Sequence, residues 1–247
     1  MSFAYLLRLA DDRLVLGHRL SEWCGHGPIL EEDIALANIS LDLIGQATLL
    51  LRLAGQTEGK GRNEDALAYF RDAVEYRNVQ LAELPNGDFA FTIVRQFLFS
   101  VFSFLQMEAL QRSANSELAG IATKAVKENR YHVRHCGQWV VTLGDGTDES
   151  HARAQRALDD AWRYTGELFL ADAIDREAAE ASIGVEPSAL ETRWREQVEP
   201  LLGRATLTVP ASGYMQRGGR SGRHTEHLGH MLTEMQIVAR SHPGAEW

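Results

Sequence analysis

The sequence lacks the residues and motifs that mark metal-thiolate, disulfide-stapled and nucleotide-hydrolysing proteins. It contains only two cysteines, Cys24 and Cys136, and no C-x-x-C pair. It therefore offers neither a zinc cluster nor a disulfide framework, and it fits a reducing compartment. It has no G-x-x-x-x-G-K-[S/T] loop and no G-x-S-x-G elbow, so nucleotide hydrolysis and serine-hydrolase chemistry are not indicated. A net charge of −9 argues against nucleic acid as a partner, because phosphate binding needs a positive surface.

An uninterrupted hydrophobic segment is also absent. The most apolar stretch, residues 89–105, is interrupted by Arg95, Gln96 and two serines. It is too polar and slightly short for a membrane span, so we predict a helix buried on most sides and no membrane partner. The first twelve residues have their charges too early for a signal peptide. We therefore expect a cytoplasmic protein.

The sequence does contain long segments with apolar residues at helical spacing. They predict core helices over about 3–24, 31–54, 89–112 and 115–143, and further helices over about 63–78, 149–171, 187–203 and 225–241. The single strand-like fragment, residues 206–210, is too short to form a sheet. We predict an all-α protein with one domain over 1–247, comprising a core over 3–143 and a C-terminal helical extension over 149–247.

Residues 124–135 form the most informative segment. Glu128, His132 and His135 lie on one face of the predicted fourth core helix, together with Lys124. Carboxylate-bridged di-iron bundles use a Glu from each of two helices and a Glu-x-x-His from each of two others. Here Tyr131 stands where that histidine would be, and the histidine follows one residue later. The segment resembles a di-iron site that has lost its ligands.

The histidines support the same interpretation, because none of the nine has a glutamate three residues before it. The second helix offers Asp42-x-x-Gly45, and glycine cannot ligate a metal. At most three acids, Asp12, Asp42 and Glu128, could converge, which is too few for a di-iron pair. We therefore predict no catalytic or metal-binding residue in this chain. The candidates for a degenerate site are Asp12, Asp42, Glu128 and His132.

Two interpretations of this degenerate site stay open. The polar face around Glu128 could simply be solvated. Alternatively, it could be buried as a relic site whose acids are neutralised by Lys124, Lys127 or Arg130 instead of a metal, since an unpaired buried charge is costly.

A second candidate site is the basic glycine loop near the carboxyl end. Its arginines are Arg217, Arg220 and Arg223, and glycines at 218, 219 and 222 allow a tight bend that brings guanidinium groups close to one anion. We predict a contact with a partner subunit, with a phosphate-bearing ligand as the alternative. Histidines 224, 227 and 230 follow at three-residue spacing, but no thiolates or paired acids accompany them, so a surface or interface role is favoured over metal binding.

Six sequence blocks together resemble a known family. They are Glu-Trp-Cys-Gly-His at 22–26 with Pro28, Leu-Ala-Asn-Ile-Ser-Leu-Asp-Leu-Ile-Gly-Gln-Ala at 36–47, Leu-Pro-Asn-Gly-Asp-Phe-Ala at 84–90, Lys-Glu-Asn-Arg-Tyr-His-Val-Arg at 127–134, His-Thr-Glu-His-Leu-Gly at 224–229 and Met-Leu-x-Glu-Met-Gln at 231–236. These blocks span nearly the whole chain. They are similar to the phenylacetic acid catabolic proteins, and among these to the C subunits of ring-1,2-phenylacetyl-CoA epoxidase complexes.

The resemblance implies a ferritin-like helical bundle and a non-catalytic structural subunit that binds no cofactor itself. The expected partners are a homologous catalytic subunit with the di-iron centre, a small accessory subunit and a reductase subunit. That complex uses oxygen and NADPH-derived electrons to epoxidise the ring of phenylacetyl-CoA in aerobic phenylacetate degradation. The resemblance also directs the arginine loop to a carboxylate-bearing surface of the catalytic subunit, or to a coenzyme A phosphate.

Two other functions stay open from the residues alone. One is a self-sufficient ferritin-like oxygenase with irregular metal ligands. The other is a helical binding module that is unrelated to oxygen chemistry.

Overall fold

The computed structural model describes residues 2–211 and 213–245, which form helices and no β-strand. The α-helices are α1 (Phe3–Ser21), α2 (Leu30–Glu58), α3 (Glu64–Tyr69), α4 (Gln80–Glu83), α5 (Phe89–Leu110), α6 (Ser116–Gly144), α7 (Asp148–Trp162), α8 (Ala173–Glu180), α9 (Glu191–Arg204) and α10 (Glu226–Ser241). Four short 3-10 helices lie between them. The predicted all-α class is confirmed.

The chain divides into two compact units. The first unit comprises residues 2–85 with 218–245, and the second unit comprises Asn86–Arg217. The C-terminal helix α10 therefore belongs to the same unit as α1 to α4. This partition differs from the predicted core over 3–143 and extension over 149–247, because the chain returns to the N-terminal helices after residue 217. A single domain over 1–247 stays a prediction.

The first unit is built on a hairpin of α1 and α2, which pack along each other. The turn between these helices is held by one side chain at the start of α2. Asp33 Oδ1 accepts hydrogen bonds from the backbone N–H groups of Gly25, at 2.8 Å, and Gly27, at 3.0 Å. Glu31, Glu32 and Asp33 also place negative charge in the first turn of α2, where the helix dipole favours it.

The third predicted helix, over 63–78, is wrong in length. Asn63 caps α3 by accepting a hydrogen bond from the N–H of Ala66, but α3 ends at Tyr69. Beyond it the chain forms a 3-10 helix at Ala73–Glu75, and the buried guanidinium of Arg71 is bonded to Asp11 on α1. The short helices α4 and α8 were not predicted.

The second unit is organised around α5, which packs against α6, α7 and α9. Both α2 and α5 are long and apolar enough to cross a membrane by length and composition, but 83% of the apolar window of α5 is buried in the protein. It is a core helix, as predicted. Asp88 caps it by accepting a hydrogen bond from the N–H of Phe91. The buried indole of Trp194 on α9 donates to the carbonyl of Leu98 at 2.9 Å.

Candidate functional site

Asp12, the first predicted candidate, lies on α1 with its carboxylate fully buried. Arg220 binds it through two parallel hydrogen bonds, from Nη1 to Oδ1 at 2.9 Å and from Nη2 to Oδ2 at 2.8 Å. The backbone N–H of Val79 donates to Oδ1 at 2.8 Å. Both carboxylate oxygens are therefore bonded to groups of this chain. The charge that a metal would balance in a di-iron protein is balanced here by an arginine.

The electrostatics around Asp12 reflect its burial. Desolvation raises the pKa of Asp12, while the guanidinium of Arg220 and the N–H of Val79 act in the opposite direction. A second buried cation, Arg13, lies next to it in sequence, and burial lowers the pKa of Arg13 to about 10. Its Nε donates to Gln46 Oε1 on α2 at 3.1 Å. The α1–α2 hairpin thus buries the guanidinium group of Arg13 as well as the carboxylate of Asp12.

Arg220 corrects the prediction for the glycine loop. Its guanidinium is largely buried and binds an anion of its own chain, whereas the sequence assigned it to a partner or a phosphate. Gly219 and Gly222 explain the difference, because they let the loop lie directly on residues 74–80. A Cβ atom at Gly219 would lie 2.1 Å from the carbonyl oxygen of Asn78, and one at Gly222 would lie 2.4 Å from that of Val74.

The other two arginines of the loop differ from Arg220 in their exposure. Arg223 in the first unit and Arg217 in the second unit are both exposed. Their role as partner or anion contacts stays a prediction.

A second buried carboxylate, Glu83 at the end of α4, holds the start of α10. Its Oε2 accepts a hydrogen bond from Asn78 Nδ2 at 2.8 Å and lies 2.7 Å from His224 Nδ1, while its Oε1 accepts from the N–H of Thr225 at 2.6 Å. The other ring nitrogen of His224 lies 3.1 Å from the carbonyl oxygen of Tyr76. Both ring nitrogens thus lie within hydrogen-bond distance of an oxygen atom of the first unit.

A third buried carboxylate, Asp11, binds Arg71 at 2.5 and 3.0 Å and accepts the N–H of Arg77 at 2.8 Å. Sequence reasoning missed both Asp11 and Glu83. The only signal for Asp11 was its position beside Asp12 in the middle of α1. Together the three acids attach the 71–79 segment and the start of α10 to the N-terminal helices, which makes this cluster a structural anchor.

The four degenerate-site candidates are divided between the two units. Asp12 and Asp42 lie in the first, where Asp42 is half-buried on α2, and Glu128 and His132 lie in the second. Within residues 2–211 and 213–245, no group of three or more His, Cys, Asp or Glu side chains is arranged to hold a metal ion.

The polar stripe on α6 is neither wholly solvated nor wholly buried. His132 is buried, whereas Tyr131 is 38% exposed and stacks on His135 with ring centroids 5.6 Å apart. Glu128 is mostly buried and lies 3.7 Å from Lys124 Nζ, the ion pair that the relic interpretation requires. Each of the two open interpretations therefore describes part of the stripe.

The core beside this stripe is polar but neutral. Asn129 on α6 donates to Ser103 Oγ on α5 at 2.9 Å, and Gln96 donates to Ser100 Oγ at 3.0 Å. Where a di-iron bundle needs acids, α5 presents amide and hydroxyl groups. Gln96 and the two serines that interrupt the apolar stretch of α5 are therefore buried and hydrogen-bonded within the protein.

Known proteins with a similar sequence place this geometry in context. A family model described as "Phenylacetic acid catabolic protein" matches residues 1–247. The chain is similar to the C subunit of 1,2-phenylacetyl-CoA epoxidase from Escherichia coli (strain K12), with 47% identity over 244 residues that cover 99% of this chain and 98% of the relative. Members of this family are ferritin-like helical proteins, which confirms the predicted ferritin-like fold.

Proposed function

Because the chain belongs to the phenylacetic acid catabolic protein family, we propose that it is a non-catalytic structural subunit of a cytoplasmic di-iron monooxygenase complex that epoxidises phenylacetyl-CoA. In this proposal a homologous catalytic subunit holds the di-iron centre and performs the oxygen chemistry. Small accessory and reductase subunits complete the complex. The relative is itself described as a subunit of a phenylacetyl-CoA epoxidase, which supports the assignment to such a complex.

The observation that supports a non-catalytic role is the Asp12–Arg220 pair. A di-iron pair needs several carboxylates to bridge and balance the metal charge, and an imidazole on each iron. Asp12 uses both oxygens for Arg220 and the N–H of Val79, and Glu128 faces the ammonium of Lys124. Cations of the chain therefore occupy the positions next to two of the three candidate acids.

The non-catalytic role is tested by measuring the turnover number of the assembled complex that carries Glu128→Gln. The amide keeps the size of the side chain but removes its charge, so a structural subunit should keep its turnover number within about twofold. A carboxylate that ligates iron or transfers a proton should lower turnover by about 100-fold or more. The matched control is Glu149→Gln, an exposed glutamate on α7. A loss of that size for Glu128→Gln alone would reject the non-catalytic role and favour an oxygenase with irregular ligands.

The exposed face of α2 supports the partner assignment. Leu30, Ile34 and Leu41 are 70%, 52% and 66% exposed, although all three are large aliphatic residues. Their spacing of four and seven residues places them on one side of the helix. Water-exposed aliphatic side chains gathered on one helix face are typical of a protein–protein interface. We assign this face to the catalytic homologue.

A charge placed in this face should prevent assembly. Leu41→Asp is expected to abolish co-purification with the catalytic subunit, because a buried unpaired carboxylate cannot be accommodated in an apolar contact. Leu170→Asp, at a 47% exposed leucine elsewhere, is the matched control and should assemble like the wild type. Normal assembly of the Leu41 variant would assign the contact to another surface.

A further inference from the structure

The outward face of α6 is a basic stripe in an acidic protein. Lys127, Arg130 and Arg134 are exposed on it, and Tyr131 lies between them. Their spacing of three and four residues aligns them on one side of the helix over about 10 Å. The chain as a whole has a net charge of −9, so this stripe is opposite in sign to the protein that bears it.

The stripe has no internal compensation among the described residues. Lys127, Arg130 and Arg134 make no ion pair with any described acid, whereas Arg153 on α7 pairs with Glu149 and Arg195 on α9 pairs with Glu191 and Glu199, each one turn away. Successive like charges at this spacing cost a helix about 0.2–0.5 kcal/mol per pair. An external anion would relieve this repulsion.

Two side chains of the stripe, Arg130 and Arg134, lie against aromatic rings. The guanidinium carbon of Arg134 lies 5.7 Å from the ring centroid of Tyr131, whose ring also stacks on that of His135. The guanidinium carbon of Arg130 lies 5.9 Å from the ring centroid of Phe104 on α5. Holding long side chains in place before binding reduces the entropy lost on association. Tyrosine and arginine are also among the residues most enriched at the energetic centres of protein interfaces.

We propose that the basic stripe, defined as Lys127, Arg130, Tyr131 and Arg134, is a docking surface for an acidic face of another protein. Its charged, polar character differs from the aliphatic face of α2. Polar charged contacts form and dissociate readily and are steered by long-range attraction, whereas apolar contacts suit permanent assembly. The stripe therefore binds a partner that associates reversibly. The identity of that partner as a component of the epoxidase complex rests on the proposed function.

The test measures the affinity of the purified wild-type chain for each of the other subunits of the complex, purified separately, at about 50 mM and about 300 mM salt. At least one subunit should bind, and its affinity should fall as salt rises. Arg130→Glu/Arg134→Glu should weaken that binding by about tenfold or more. Arg156→Glu/Arg176→Glu makes the same charge change at exposed arginines of α7 and α8 and should alter it by less than about twofold. Unchanged helix content and thermal midpoint in both double variants would show that the fold is intact.

The outcomes separate the two proposals. If a subunit binds the wild type but both double variants bind it equally well, the docking surface is rejected while the proposed function stands. If no subunit binds the wild type, both fail. If a short DNA duplex binds the wild type as tightly as the best subunit does, the stripe is a general polyanion site and the protein-docking assignment is overturned.

Discussion

The substitution Arg220→Met tests most directly whether the buried Asp12–Arg220 ion pair stabilises the first unit. It removes the guanidinium but keeps a side chain of similar length, and leaves Asp12 buried with the N–H of Val79 as its remaining donor. Arg220 also donates to the backbone carbonyl of Arg77 at 2.8 Å. The substitution therefore breaks both the ion pair and the attachment of the loop to the 71–79 segment.

The expected cost follows from the geometry. Removing one partner of a buried ion pair costs about 3–5 kcal/mol, because the remaining charge stays uncompensated. Asp12 is 0% exposed and the Arg220 side chain 14% exposed, so some water reaches the pair and we expect the lower end, about 3 kcal/mol. Asp12→Asn/Arg220→Met should cost less than the two single substitutions together, with a coupling energy of about 2 kcal/mol.

Urea unfolding of the four proteins in this cycle gives the free energies, and hydrogen exchange gives a local readout. Exchange should rise in α10 and the preceding loop in Arg220→Met, because that segment loses its attachment. Arg223→Met is the matched control on the same loop, and at an exposed site it should change stability by no more than about 0.5 kcal/mol. Equal free energies of unfolding for the Arg220 and Arg223 variants would refute the stabilising role of the Asp12–Arg220 pair.

Two further predictions concern the same unit. Gly219→Ala should destabilise the protein by about 1–3 kcal/mol in urea unfolding, because its Cβ would meet a backbone carbonyl; Gly229→Ala on α10, where a Cβ meets nothing within 4 Å, should be neutral or slightly stabilising. His18 is desolvated, which lowers its pKa from 6.5, and its Nε2 has no hydrogen-bond partner among the described residues. Below pH 6.5 the unfolded chain binds a proton at His18 more readily than the folded chain does, so the free energy of unfolding should decrease as the pH is lowered. His18→Gln should make the free energy of unfolding depend less steeply on pH in this range. An unchanged slope between pH 7.5 and about 5 would contradict the assignment to His18.

The helices could be predicted where local signals agree. The apolar spacing placed the starts of α5 and α6 to within about one residue, and the structure shows Asp88 and Asn115 capping these two helices. The end of α2 was predicted four residues early because Gly55 looked like a stop signal, whereas the helix continues to Glu58 and ends at Gly59 in the left-handed conformation. The positions of the glycines alone could not show whether α2 ends at Gly55 or at Gly59.

The interior charges were only half predictable. Asp12 was identified from the sequence as an acid that could lie in the interior, and it is buried, but its cation lies 208 residues away in sequence. Nothing local connects Asp12 to Arg220, just as nothing connects Asp11 to Arg71 across 60 residues. Spacing along one helix predicts which residues share a face. It does not identify the distant residue that neutralises them, because that depends on how the chain returns.

The central claim is that this chain supports catalysis without performing it, and iron analysis of the purified chain tests it most directly. The chain should be expressed alone in iron-supplemented cells, washed extensively, and analysed for iron and for oxidation of phenylacetyl-CoA with a reductase present. We predict iron well below one atom per chain and no thioester oxidation above the protein-free control. About two irons per chain, as a di-iron site requires, together with oxidised thioester would contradict this claim.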